Sequence, residues 1–181
     1  MKELSGKTAF VTGGSRGIGH AICIALAESG ANIAFNYTAA DDKANELVDV
    51  LRTKHKVKAE AYKADIADEE AVKEMVAKAT KAFGPISILV NNAGINRDKS
   101  FLRMTRAMWD EVLGVNLNGP FNVTNALLPG MIENKWGRII NIASMGGQTG
   151  NFGQANYTVT TGGLIAFTMT LARAAARKGV P

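Results

Sequence analysis

Thr12-Gly13-Gly14-Ser15-Arg16-Gly17-Ile18-Gly19 joins the apolar run Thr8–Thr12 to an amphipathic stretch, Ile18–Ser29. Glycines at 13, 17 and 19 let a backbone turn sharply and let a ligand approach it with no Cβ in the way. Gly14 and Ser15 complete the loop, and Ile18 opens a helix whose free N-terminal amides suit an anion such as a pyrophosphate. A glycine cluster by itself also suits an ordinary turn. Its place between the first strand and the first helix is the context that dinucleotide binding demands.

The same alternation continues outward along the chain. Strand-like runs recur at Asn32–Asn36, Val57–Ala61, Ile86–Asn91 and Arg138–Ala143. Helix-like segments fill the gaps at Asp41–Lys54, Asp68–Phe83, about Thr105 to Asn134, and Gln154–Lys178. Strands separated by helices of this length form β-α-β units, so the pattern predicts one α/β domain: a doubly wound parallel sheet with helices on both faces. In the first helix the spacing predicts a buried stripe of Ile22, Ala25, Leu26 and Ser29. Cys23, in the same helix, reads as a buried inert thiol.

The end of the second strand, Phe35-Asn36-Tyr37-Thr38, bears on which dinucleotide fits. An NAD-preferring site places an acidic residue about 20 residues after the glycines, to hold the ribose 2′-hydroxyl. None stands there, and Asp41 and Asp42 are expected to cap the next helix. Arg16 is suited to a 2′-phosphate. The expectation is NADP(H).

Composition narrows the class. The chain has 181 residues, 46% of them hydrophobic and 20% charged, which suits a globular domain and not a disordered chain. No contiguous run approaches the roughly 20 apolar residues of a membrane helix. The start lacks the apolar core of a signal peptide, and one cysteine excludes an internal disulfide framework, so a cytoplasmic protein is expected. Two distant histidines give no metal site. The net charge of +5 favours anionic partners. The basic stretch Lys54-His55-Lys56-Val57-Lys58 has no interleaved aromatic residues, so nucleic-acid binding is not expected.

The pattern Thr-Gly-x-x-x-Gly-x-Gly, with Asn91-Asn92-Ala93-Gly94 after the fourth strand, resembles the short-chain dehydrogenase/reductase family. Asp65-Ile66, Asn116, Ser144 and Tyr157, thirteen residues beyond Ser144, fall in the family's order. The stretches Ile95-Asn96-Arg97-Asp98, Phe121-Asn122-Val123-Thr124 and Gly153-Gln154-Ala155-Asn156-Tyr157 are similar to the 3-oxoacyl-[acyl-carrier-protein] reductases and acetoacetyl-CoA reductases within it. These serve fatty acid or polyhydroxyalkanoate biosynthesis. The resemblance implies a Rossmann-like domain in which Thr38 sits near the adenosine phosphate and Asp65 and Ile66 frame the adenine. Asn92, Ala93 and Gly94 would lie along the cofactor. Tyr157 would protonate the ketone oxygen, Ser144 would hydrogen-bond it, and Asn116 would hold a helix irregularity and a relay water. Phe152 and Gln154 would face a 3-oxoacyl thioester. Lys135 and Lys178, with Arg138 and Arg177 beside them, would dock an acidic acyl carrier protein.

Two departures from the family stand out. Its Tyr-x-x-x-Lys reads Tyr157-Thr158-Val159-Thr160-Thr161, so threonine holds the lysine position. An ammonium on that helix face, about 4 Å from the phenol at an effective dielectric near 20, favours phenolate by roughly 4 kcal/mol. Threonine cannot supply this, and acid–base assistance worth about 10²–10⁴ in rate is expected to be lost. Relatives also continue past Gly179-Val180-Pro181 with two more strands and a substrate-covering loop. The expectation is therefore a single NAD(P)-binding domain over 1–181 with its last strands missing, and at most a dimer where the family forms homo-oligomers. Two functions remain open: an impaired NADPH-dependent 3-oxoacyl thioester reductase, or a dinucleotide-binding pseudoenzyme serving in binding or assembly.

Overall fold

The computed structural model describes residues 2–180. The elements run β1 (Thr8–Val11), α1 (Gly17–Glu28), β2 (Asn32–Tyr37), α2 (Asp41–Thr53), β3 (Ala59–Lys63), α3 (Glu69–Phe83) and β4 (Ile88–Asn91). Then follow α4 (Arg106–Leu113), α5 (Gly119–Glu133), β5 (Arg138–Asn141), α6 (Gly146–Thr149) and α7 (Ala155–Ala175). The five strands form one sheet in the order β3-β2-β1-β4-β5, every neighbouring pair parallel. This is the doubly wound architecture the sequence predicts. After β3 the chain returns past β1 to lay down β4, so a crevice opens beyond the carboxyl ends of β1 and β4.

Strand alternation divides the core between the two faces. Ala9 and Val11 of β1 join Ile33, Phe35, Cys23, Leu47 and Leu51 on the side of α1 and α2. Phe10, between them, joins Leu89, Val72, Val123, Leu127 and Met131 on the side of α3 and α5. All four β1 residues are buried, as a central parallel strand covered on both faces requires.

Several local expectations are corrected. In α1, Ile22 and Leu26 are half-buried against the core, but the fully buried residues are Gly19, Cys23 and Ala27, and Ala25 faces solvent. Small residues let this helix lie close on the sheet, a constraint that hydrophobicity alone does not register. β3 starts two residues later than its apolar run, because Val57 donates back to the carbonyl of Leu51 after a left-handed Lys56. Asp41 and Asp42 lie in the first turn of α2 and do not cap it; the cap position is Ala40, left-handed at φ 68. Acidic residues in that turn still complement the helix dipole. The stretch Ala155–Lys178 is long and apolar enough to cross a membrane, with a hydropathy of 1.2. Threonine and glycine interrupt it, so no contiguous apolar run reveals this. In the fold it buries Asn156, Thr160, Thr161 and Leu164 and packs on α4 and α6.

The helix expected from Thr105 to Asn134 is broken by a π-turn at Gly114–Asn118, where the Gly119 amide donates to the Gly114 carbonyl five residues back. Pro120 explains the break: it lacks the N–H that a regular helix would direct at the carbonyl of Asn116. Gly119 is required as well, since a Cβ there would lie 2.5 Å from Ile66 Cδ1.

Candidate functional site

The loop after β1 and the loop after β4 are tied into one floor. Thr12 Oγ1 accepts from the amides of Asn92 and Ala93, each at 2.9 Å, and Asn92 Nδ2 donates to the carbonyl of Thr12 at 2.9 Å. Asn36 ties in β2 and the end of β3: its Oδ1 accepts from the Gly13 amide at 3.0 Å and its Nδ2 donates to the Ala64 carbonyl at 2.9 Å. Gly13 adopts φ 66 and would carry its Cβ to 3.1 Å from Ala93 Cα, so glycine serves both the turn and the close approach.

Above this floor lies a cleft of about 640 Å³. Of the residues predicted to hold the cofactor, Gly13, Ser15, Arg16, Gly17, Ile18, Gly19, Thr38, Asp65, Ile66, Asn92, Ala93 and Gly94 line it. Gly14 does not; its Cβ direction meets Phe35 at 2.6 Å, so it lets the loop pack on β2. The first turn of α1 has no side-chain cap and no acidic residue, which leaves its amides free for an anion. The Arg16 side chain makes no hydrogen bond or ion pair among the described residues, and it is exposed at the cleft. A dinucleotide fits these donors: a pyrophosphate at the helix start, and a guanidinium at hand for a further phosphate.

The cleft also takes in Tyr37, Ala39, Ala40, Ile95, Glu111 and Val115, which sequence reasoning missed. Glu111 is held by Arg97, with Nε to Oε2 at 2.8 Å. Asn36, a floor residue, was also missed. Its partners lie 23 and 28 residues away, so no local signal marks it.

Beyond Gly94 the π-turn brings Asn116 against the loop. Asn116 Oδ1 accepts from the Ile95 amide at 2.8 Å and its Nδ2 donates to the Ile95 carbonyl at 2.9 Å, with Thr160 Oγ1 at 3.5 Å. Tyr157, half-buried, is in the first turn of α7 just after Asn156, whose amide donates to the carbonyls of Arg97 and Met108. Ser144, also half-buried, follows β5, and its Oγ accepts from the Gly146 amide at 3.2 Å. α6 packs on α7 with almost no gap; a Cβ on Gly147 would lie 2.6 Å from the Gly162 amide nitrogen. Thr161 is 5% exposed, and its hydroxyl donates within its own helix, to the carbonyl of Tyr157 at 3.0 Å. The lysine's position is thus held by a neutral, buried side chain.

The remaining candidates are more dispersed. Gln154 donates to Asp98 Oδ2 at 3.0 Å, which joins the start of α7 to the loop after β4. Phe152 is 96% exposed, alongside other exposed apolar side chains at Met145, Phe101 and Leu102. Lys135 and Lys178 come together with Arg177 in a separate cleft of about 460 Å³. Arg138 instead lies over the Trp136 ring, 5.0 Å from its centroid.

The short chain dehydrogenase profile matches residues 7–181. The chain belongs to the short-chain dehydrogenase family. The chain is 44% identical to the 3-oxoacyl-[acyl-carrier-protein] reductase of Staphylococcus epidermidis, over 96% of its own length and 71% of the relative's. It is likewise 44% identical to the enzyme of that name from Aquifex aeolicus, over 98% and 71%. The acetoacetyl-CoA reductase of Rhizobium meliloti is 42% identical, over 96% and 70%. Among solved structures, an NAD+-bound xylitol dehydrogenase superposes with a TM-score of 0.94 at 33% identity, over 99% of this chain and 68% of that one. The family and this neighbour support a nicotinamide dinucleotide as the cofactor.

Proposed function

We propose that the chain is an NADPH-dependent reductase of 3-oxoacyl thioesters, carried by acyl carrier protein or CoA, with proton transfer impaired by Thr161. One observation carries the reading: the cleft at the α1 amides ends where Asn116 joins the loop after β4 to the helix bearing Tyr157. The similarity to 3-oxoacyl and acetoacetyl-CoA reductases supports the substrate class. Arg16, together with the absence of an acid at the end of β2, supports NADPH over NADH.

The α1 amides and Arg16 would hold the cofactor, which would supply a hydride to the ketone carbon. Tyr157 gives its phenolic proton to the ketone oxygen, and the Ser144 hydroxyl donates a hydrogen bond to that oxygen as charge develops there. Asn116 holds the loop and the helix in register. Thr161, neutral and with its hydroxyl turned into the helix, puts no cation at the lysine position. Lys135, Lys178 and Arg177 offer a basic face to an acidic carrier protein. Phe152 and Gln154 belong to the mouth where the acyl chain enters. We place the protein in the cytoplasm, and the apolar face of the long helix α7, with Val159 and Met169 exposed, favours a homodimer. Thr161 also favours a second reading, a pseudoenzyme that keeps the dinucleotide site for binding or assembly.

The test is a single-turnover incubation of excess protein with acetoacetyl-CoA and NADPH deuterated at the transferred position. The expected product is 3-hydroxybutyryl-CoA carrying one deuterium at C3, formed slowly. Absence of that product from both the natural chain and Thr161→Lys would favour the pseudoenzyme.

A further inference from the structure

Asp41 and Lys63 form an ion pair, Oδ2 to Nζ at 3.0 Å, beside the end of the cleft lined by Tyr37, Thr38, Ala39 and Ala40. Neither residue belongs to the family pattern described above. Two features of the fold bring them together. Lys63 is paired in register with Tyr37 across β3 and β2, so both side chains leave the same face of the sheet. The left-handed Ala40 then turns the chain so that α2 begins with Asp41 on that face.

We propose that this pair sets how strongly the cleft prefers a 2′-phosphate to a 2′-hydroxyl on the adenosine ribose, Asp41 opposing the phosphate and Lys63 masking Asp41. The proposal rests on the NADPH reading above and names the residues that tune it. A carboxylate at this end of the cleft does to a phosphate what the missing acid at the end of β2 would do: it repels the dianion and offers an acceptor to a hydroxyl. Lys63 cancels that charge. It also holds the Asp41 carboxyl below the usual carboxylate range, with Tyr37 contributing, so the carboxylate is charged at neutral pH. Asp42, next in the chain, makes no ion pair among the described residues and stays a fixed background charge. Arg16 supplies the attraction from the opposite loop. The preference is then a balance of Arg16 and Lys63 against Asp41. Both members of the pair are 56% exposed, so its effect is that of a partly screened surface charge.

The test is equilibrium titration of the full chain with NADPH and NADH by cofactor fluorescence. Adenosine 2′,5′-bisphosphate and 5′-AMP, titrated by calorimetry, serve as probes lacking nicotinamide. Asp41→Asn is expected to tighten NADPH and the bisphosphate about two- to fivefold and leave NADH and AMP nearly unchanged. Lys63→Gln is expected to weaken the two 2′-phosphate ligands by a similar factor, and the double variant to return close to the natural ratio. All of these shifts should shrink in high salt. Equal shifts for the phosphorylated and unphosphorylated ligands, or no shift in either single variant, would overturn the proposal. Arg16→Ala separates the two levels. If it erases the NADPH preference while Asp41→Asn and Lys63→Gln change nothing, the cofactor reading stands and the role of the pair fails. If Arg16→Ala leaves the preference intact or the natural chain has none, the cofactor reading fails independently.

Discussion

Thr161 and Cys23 show how little a residue's type says before its surroundings are known. Thr161 holds the position of the family's lysine, yet its hydroxyl is spent on its own helix. The missing charge was legible, because the residue stands four positions after Tyr157; the hydrogen bond was not. The packing of α6 beside it was not, since that depends on Gly147 and Gly162 meeting across two helices. Cys23 was correctly expected to be buried. Burial pushes its thiol up from 9.0 to about 12, so the group stays protonated in the folded chain. A folded pKa above the unfolded one contributes stability that is complete below about pH 9 and is lost as pH rises towards 12. Denaturant midpoints measured from pH 7 to 11 should therefore fall above pH 9, and less so for Cys23→Ala. Labelling of Cys23 by a thiol reagent should track unfolding; rapid labelling of the native chain at pH 7 would contradict its burial.

The sequence yielded elements in order more readily than it yielded their irregularities. Residues 105 to 134 read as one helix because apolar spacing persists through Gly114–Asn118. The π-turn arises from one missing donor at Pro120 and one missing Cβ at Gly119, neither of which alters a hydrophobic pattern. The resemblance to the family, and not the spacing, raised an irregularity at Asn116. The first helix was placed within a residue, and Ile22 and Leu26 of its expected stripe do pack on the core, but close packing gave the fully buried places to Gly19, Cys23 and Ala27. At this scale Asn116→Ala is the informative change. It removes both partners of the Ile95 backbone, at a cost of about 2 kcal/mol or more. For a chain of this size, the melting midpoint should drop by roughly 4–8 °C. An unchanged midpoint by calorimetry would mean that the loop after β4 does not depend on the clamp.

Taken as a molecule, the chain carries the glycine-loop cleft and the helix bearing Tyr157 and Thr161 on one parallel sheet. The parallel sheet was foreseeable from alternating strands and helices, which leave few topologies without choosing the strand order. Most of the cleft was foreseeable too, since glycine loops between strand and helix lie at the switch point by construction. Tyr37, Ile95, Glu111 and Val115 escaped because loops distant in sequence bring them in. The chain ends its sheet on β5, whose face leaves Ile140 45% exposed, while Val159 and Met169 of α7 are 48% and 57% exposed. The central claim is that the cofactor half is intact while the proton half lacks its cation. It is tested most directly by comparing NADPH oxidation with acetoacetyl-CoA in the natural chain and in Thr161→Lys, each saturated with cofactor. The account predicts barely measurable turnover in the natural chain and about a hundredfold or greater gain in the variant. Robust turnover by the natural chain, unimproved by the lysine, would contradict it.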